Sequence, residues 1–201
     1  HLFWDAPFRE LFWDESWMEG IISAVASMSW KEYVTSSEGN SFIENLIKSL
    51  GWLYVICAFI SIWIKKLPRF FHYILLFGAF NLIFLAFLYS KEKFFHVGQF
   101  FEYTLQFGSP IFLYLIVNQL ITKERLILLF KISIVLTFTC HGLYALGYYP
   151  RPESFLKMTM TILGFSQSNS ILFLNVAGIL DFVIAVGIFL PKRLALPVLG
   201  Y

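Results

Sequence analysis

Five polar side chains suited to hydrogen bonding and proton exchange, His96, Gln99, Glu102, Tyr103 and Gln106, lie inside the apolar run HVGQFFEYTLQFGSPIFLYLIV, residues 96–117. Their spacings of three and four place them in one stripe of a helix. Three more groups of the same kind, His141, Asn175 and Asp181, stand in two later apolar runs. A charged side chain in hydrocarbon costs about 2.5–3.5 kcal/mol. Glu102 and Asp181 are therefore expected to be protonated, paired or facing water, and the stripe to face other helices or a wet cavity.

Two readings of these residues stand side by side. In one, Gln99, Glu102, Gln106, His141 and Asn175 line a pocket walled by Phe and Tyr. Such a pocket suits the polar head of a lipid-soluble molecule, a quinone for instance, with Glu102 and His141 as proton partners for its oxygens. In the other, the same groups hydrogen-bond between helices and hold a bundle together, Asp181 among them. His72 and His96 fall near the ends of apolar runs and read as interfacial. A metal site is not expected: His96, Glu102 and His141 offer three ligands, but no HxxxH or HxxE spacing puts a pair on one helix. The chain has no phosphate loop, no GxSxG and no Cys–His nucleophile pattern. Cys57 and Cys140 sit within apolar runs, which argues against a disulfide framework or a redox pair.

The elements that must position these groups follow from composition. The 201 residues are 58% hydrophobic, 20% aromatic and only 14% charged. Soluble domains carry about 25% charge, so a water-facing surface is excluded by the deficit. A net charge of +2 leaves no footprint for nucleic acid. The expected fold is an all-α integral membrane helical bundle. Five complete spans are expected at about 46–64, 70–89, 94–117, 126–146 and 170–190, each near the ~20 residues that cross a bilayer. Lys65-Lys66 and Pro68 end the first; Ser90-Lys91-Glu92-Lys93 close the second. Gly108-Ser109-Pro110 is expected to kink the third, because Pro110 cannot donate to the residue four back. The fourth ends at Gly147-Tyr148-Tyr149-Pro150, and the fifth at Pro191-Lys192-Arg193.

Amphipathic interfacial helices are expected at the outer surface. Residues 1–20 mix acids with Trp4, Trp13 and Trp17, and Asp5 before Ala6-Pro7 reads as a helix start. LFWD at 2–5 and 11–14 is too short a duplication to make a repeat fold. Residues 21–34 are too short to span, TSSEGNS (35–41) reads as a loop, and a short amphipathic helix is expected between Pro152 and Gly164. Residues 1–45 thus form an outer segment, and 46–201 the transmembrane bundle.

Lys and Arg mark the cytoplasmic side. Lys65, Lys66 and Arg69, then Lys123, Arg125 and Lys131, then Lys192 and Arg193 alternate with the acid-rich 1–45, 91–93 and 150–169. This puts 1–45 on the periplasmic or outer side, together with Trp30 and Trp52. At ~1.5 Å per residue, Glu102 lies roughly 12 Å below the outer boundary, His141 and Asn175 roughly 9 Å, and Asp181 roughly 18 Å, level with Thr137. The chain opens at His1 without Met or a signal and closes on LALPVLGY, whose stretch 194–201 reads as the opening of a further span. The expectation is a window on a longer protein, with a helix or removed signal before His1.

The run GILDFVIAVGIFLPKR (178–193) resembles the final helices of the DoxX-like and MauE-like small membrane proteins, where a glycine, an acidic or small residue and a second glycine precede a basic turn. CHGLYALG (140–147) and PESFLKM (152–158) resemble the part before it, so the likeness covers about 126–193. It implies a helical bundle associated with quinone or thiol redox partners in a bacterial inner membrane. The chain departs from that pattern by its long acidic, aromatic start, an added span, and the lack of surface redox cysteines. No catalytic residue carries over. Three functions follow in order: a quinone- or lipid-handling protein using the outer-half pocket; a non-enzymatic accessory subunit of a larger membrane complex; and a transporter. The last ranks behind because only the third run is interrupted, whereas transporters pair broken helices in repeated halves.

Overall fold

A computed structural model describes residues 6–191. They are helical almost throughout, with no strand among the described residues. The chain divides into two compact units that meet at 95/96. That is a boundary of packing. The membrane-side division expected at 45/46 is crossed without a break by a long helix.

The first unit begins with three short helices, α1 (Ala6–Phe12), α2 (Glu15–Ala26) and α3 (Trp30–Thr35). Local chemistry sets their ends. Ser27 stops α2 in the left-handed region at φ 54°. Ser29 and Glu32 form a capping box: the Ser29 backbone N–H donates to Glu32 Oε2 at 2.8 Å, and Glu32 N–H donates to Ser29 Oγ at 3.3 Å. This bond holds the Glu32 carboxyl below its ordinary pKa. Asp14 is likewise lowered, first by its hydrogen bond to Lys91 and then by Ser16.

Two long helices follow, α4 (Ser37–Trp63) and α5 (Arg69–Glu92), joined through a 3-10 turn at Ile64–Lys66. The loop expected at 35–41 is a correction to the sequence reading. Ser36 Oγ accepts the Gly39 N–H at 2.8 Å and caps α4 there, so the helix starts at Ser37 and runs well ahead of the apolar stretch. Phe8, Tyr33, Ile43, Ile47, Leu85 and Leu88 form the core between the short helices, the start of α4 and the end of α5. Burial in that core pushes the Tyr33 phenol above its ordinary pKa. Deeper, the Tyr54 hydroxyl donates to Asn81 Oδ1. Gly78 lets α5 approach α4 so closely that a Cβ there would lie 2.5 Å from Cys57 Sγ.

The second unit holds α6 (Val97–Glu102), α7 (Thr104–Val117), α8 (Lys123–Leu146), α9 (Glu153–Leu163) and α10 (Gln167–Gly187). Helix α8 is central: α6 and α7 pack on one side of it and α10 on another, while α9 rests on α10. Thr122 caps α8 and Ser166 caps α10. Gly147 ends α8 at φ +81°, a conformation that glycine adopts without strain.

Four described helical segments, Ser37–Lys66, Arg69–Glu92, Lys123–Leu146 and Gln167–Gly187, are long and apolar enough to cross a membrane. Their large apolar side chains point outward: Phe70, Tyr73, Phe77 and Phe80 on α5 are 68, 60, 60 and 67% exposed. A water-soluble surface does not carry such a stripe. The chain is accordingly a multi-pass membrane protein. Four of the five stretches expected as spans are among these segments; the remaining one, 94–117, is two helices that meet at Tyr103. Pro110 lies inside α7, which continues past it to Val117. Residues 1–5 and 192–201, including Trp4, Asp5, Lys192, Arg193 and the expected further span at 194–201, lie outside the described residues.

Candidate functional site

The break at Tyr103 is built from two threonines. In an unbroken helix the Leu105 N–H would donate to the Phe101 carbonyl. Here Leu105 N–H donates to Thr137 Oγ1 of α8 at 3.1 Å, while Thr104 Oγ1 donates to the Phe101 carbonyl at 2.7 Å. Each half of the opened bond thus has a hydroxyl partner. Irregular backbone at membrane depth is tolerated only where it is satisfied by protein or lines a cavity, and here both hold. Pro110 loosens the same region, since it has no N–H for the Gln106 carbonyl.

Glycines set the opposite wall. Helices α8 and α10 cross at Gly142 and Gly178. A Cβ on Gly142 would lie 3.0 Å from the Gly178 carbonyl oxygen, and one on Gly178 would lie 2.9 Å from Leu146 Cγ. Small residues allow this approach. It brings His141, next to Gly142, against Asp181, one turn after Gly178: His141 Nδ1 and Asp181 Oδ2 are 2.6 Å apart.

Between these walls lies a cavity of about 340 Å³ lined by Glu102, Tyr103, Gln106, Thr137, Phe138, His141 and Asp181. This is within the usual range for small-molecule sites, about 300–1,000 Å³. Gln99 stands behind Glu102, its Nε2 donating to Glu102 Oε2 at 2.8 Å. Phe155 of α9 packs against the imidazole of His141, ring centroids 5.1 Å apart.

Five of the six residues expected at a site, Gln99, Glu102, Gln106, His141 and Asp181, come together around this cavity. Asn175 does not line it. Its Oδ1 accepts from Arg151 Nη2 at 2.8 Å, and Arg151 also donates to the Ala145 carbonyl at 3.0 and 2.7 Å. Asn175 thus belongs to a cap on the C-terminal end of α8. Asp181, expected below His141, is its partner. The reason is register: with Gly142 opposite Gly178, Leu146 falls opposite about residue 174, so α10, starting at Gln167, overhangs the end of α8 by roughly two turns. His96 is away from the cavity, against Tyr149, ring centroids 5.2 Å apart.

Thr137, Phe138 and Phe155 are not singled out as site residues by the sequence. Thr137 sits one turn before His141 and so shares its helical face, a signal available in the sequence. Phe138 and Phe155 carried no signal among so many phenylalanines. Among the described residues no group of three or more His, Cys, Asp or Glu side chains is arranged to hold a metal ion. Cys57 and Cys140 are free and buried, in separate units.

The arrangement offers one acid held by an amide, one imidazole held by a second acid, and two aromatic walls. His141 has Nδ1 engaged, which leaves Nε2 for a ligand. No protein-family model, curated protein or solved structure matches the chain.

Proposed function

We propose that the second unit is a membrane-embedded binding site for the oxygen-bearing head of a lipid-soluble molecule, a quinone by class. The observation that carries this reading is the convergence of Glu102 and the His141–Asp181 pair on one aromatic-walled cavity. The donor set fits such a head group. His141 Nε2 and the Gln106 amide suit carbonyl oxygens, and Tyr103 and Phe138 offer apolar walls for a flat ring. A bound quinone supplies chemistry in which electrons and protons move together. The chain's own contribution is to hold protons at Glu102 and His141, with Asp181 fixing the imidazole. The proposed setting is a bacterial inner membrane with residues 1–45 on the outer side, supported by the alternation of basic and acidic turns and by the DoxX-like and MauE-like resemblance at 126–193.

The test is titration of the purified chain in lipid nanodiscs with a short-chain benzoquinone. Saturable binding is expected, lost in Glu102→Gln while thermal stability is kept, and lost in His141→Ala together with the modest stability that the Asp181 contact supplies. Absence of binding by the unaltered chain overturns the reading.

A second reading, an accessory subunit of a larger membrane complex, is favoured by one feature: the exposed aromatic stripe Phe70, Tyr73, Phe77 and Phe80 on α5. Purification in native lipid settles between them. Under this reading the chain comes out only with other chains and tolerates changes at Glu102 and His141.

A further inference from the structure

Helix α9 is joined to the outer end of α8 and the start of α10 by the short links 147–152 and 164–166. Both neighbours are long enough to cross a bilayer, so α9 lies at one membrane surface. Its start is pinned there by Arg151, which holds the Ala145 carbonyl and Asn175. Gly164, at φ +66°, ends it. The helix has two unlike faces. One carries the Glu153–Lys157 ion pair, 2.9 Å, with both side chains largely exposed. The other is apolar but only half covered. Thr159 is buried against the bundle, whereas Met158, Ile162 and Leu163 stand open, Ile162 at 72% exposure. An ion pair on one side and bare aliphatic groups on the other is the pattern of a helix lying in the bilayer interface. Phe155, on the covered part of that apolar face, is the residue seated on His141.

We propose that α9 is a lipid-seated element of the site: bilayer hydrocarbon covers Met158, Ile162 and Leu163, and Phe155 transmits that seating to the His141 ring. Phe155 is thus a positioning residue. The link to function rests on the reading of the cavity as a binding site; the seating and the Phe155–His141 coupling do not, and both are measured without ligand. Seating is read with nitroxide labels at Ile162→Cys and Lys157→Cys, in the full chain carrying Cys57→Ala and Cys140→Ala, in phosphatidylcholine vesicles. Dissolved oxygen is expected to reach the label at 162 several-fold better than a water-soluble nickel chelate does, with the order reversed at 157. Equal access of the chelate to both overturns the proposal, as does exclusion of both reagents from 162, which would mean a protein cover. Coupling is read from the His141 ring resonance in histidine-labelled protein, assigned with His141→Gln. Phe155→Ala is expected to remove the ring-current shift, and Ile162→Glu, which unseats the helix, to move the same resonance the same way. A resonance unmoved by Ile162→Glu overturns the coupling. Loss of quinone binding by the unaltered chain is seen separately and leaves these readouts unaffected.

Discussion

His141 Nδ1 and Asp181 Oδ2 lie 2.6 Å apart across the crossing of α8 and α10, forty residues apart in the chain. The contact fixes which imidazole nitrogen is engaged by the acid. It also gives the Asp181 carboxyl a partner inside an apolar bundle. Replacing Asp181 by Leu removes that partner and leaves the imidazole unsatisfied. Polar contacts between membrane helices average about 0.6 kcal/mol and reach about 1.7 kcal/mol. A destabilisation toward the upper end of that range is expected, read as a lower unfolding temperature in detergent. Asp181→Asn should keep most of the stability, while quinone binding weakens because the imidazole is no longer held by an acid. Equal stability of the Leu variant and the parent would show that the pair contributes nothing.

The glycine crossing makes a second prediction. At Gly178 an added Cβ meets Leu146 Cγ at 2.9 Å, the Gly142 carbonyl oxygen at 3.0 Å and Ala145 Cβ at 3.2 Å. Two of these are backbone or a side chain with no freedom to move. Gly178→Leu is expected to cost about 1–3 kcal/mol by overpacking. Gly20, with nothing within 4 Å of its added Cβ, is the control. Gly20→Ala should stabilise by up to about 1 kcal/mol through helix propensity. Thermal melts of the two variants against the parent check both signs.

Thr137 is the third test. Thr137→Val keeps the shape and removes the hydroxyl that accepts the Leu105 N–H. A buried donor left alone costs about 1–3 kcal/mol. Amide exchange should rise locally around residues 103–107, and Thr137→Ser should restore protection. Unchanged exchange in the Val variant would mean that the opened helix does not depend on this hydroxyl.

The Asp14–Lys91 pair supplies a pH dependence. Lys91 holds the Asp14 carboxyl below its ordinary value of 3.8. A carboxyl lowered in the folded protein contributes stability that is fully present above its ordinary value. That contribution fades as pH falls through 3.8 toward the lower folded value. For a partly exposed pair the contribution is up to about 1 kcal/mol. Unfolding temperature should therefore drop on acidification through this range, and the drop should be smaller in Asp14→Asn. Glu32, lowered by the Ser29 backbone bond, adds a term of the same sign, so the Asp14→Asn curve flattens without becoming level.

The sequence made some features plain and hid others for physical reasons. Long helices were legible because apolar runs of bilayer length leave few alternatives, and Gly147 and Lys65-Lys66 mark real ends. The stripe of Gln99, Glu102 and Gln106 was legible because spacing alone puts it on one face. The break at Tyr103 was not, because Pro110 is the louder local signal. The actual break is stabilised by Thr137, thirty-two residues away. The pairing of Asp181 with His141 was not legible either, because depth counted from each span's own end ignores register. Only the Gly142–Gly178 contact fixes how far α10 overhangs α8. The helical start at Ser37 was hidden in TSSEGNS, where serine and glycine look like loop residues until Ser36 is recognised as a cap.

One consequence of the Gly142–Gly178 contact reaches past folding. Because main chain touches main chain there, the distance between the imidazole and its acid cannot be tuned by nearby side chains as it can in a looser bundle. Any enlargement at either glycine moves both groups at once. A mutational scan would then score two residues that lack side chains, and never touch the cavity, among the most sensitive positions for whatever the cavity does.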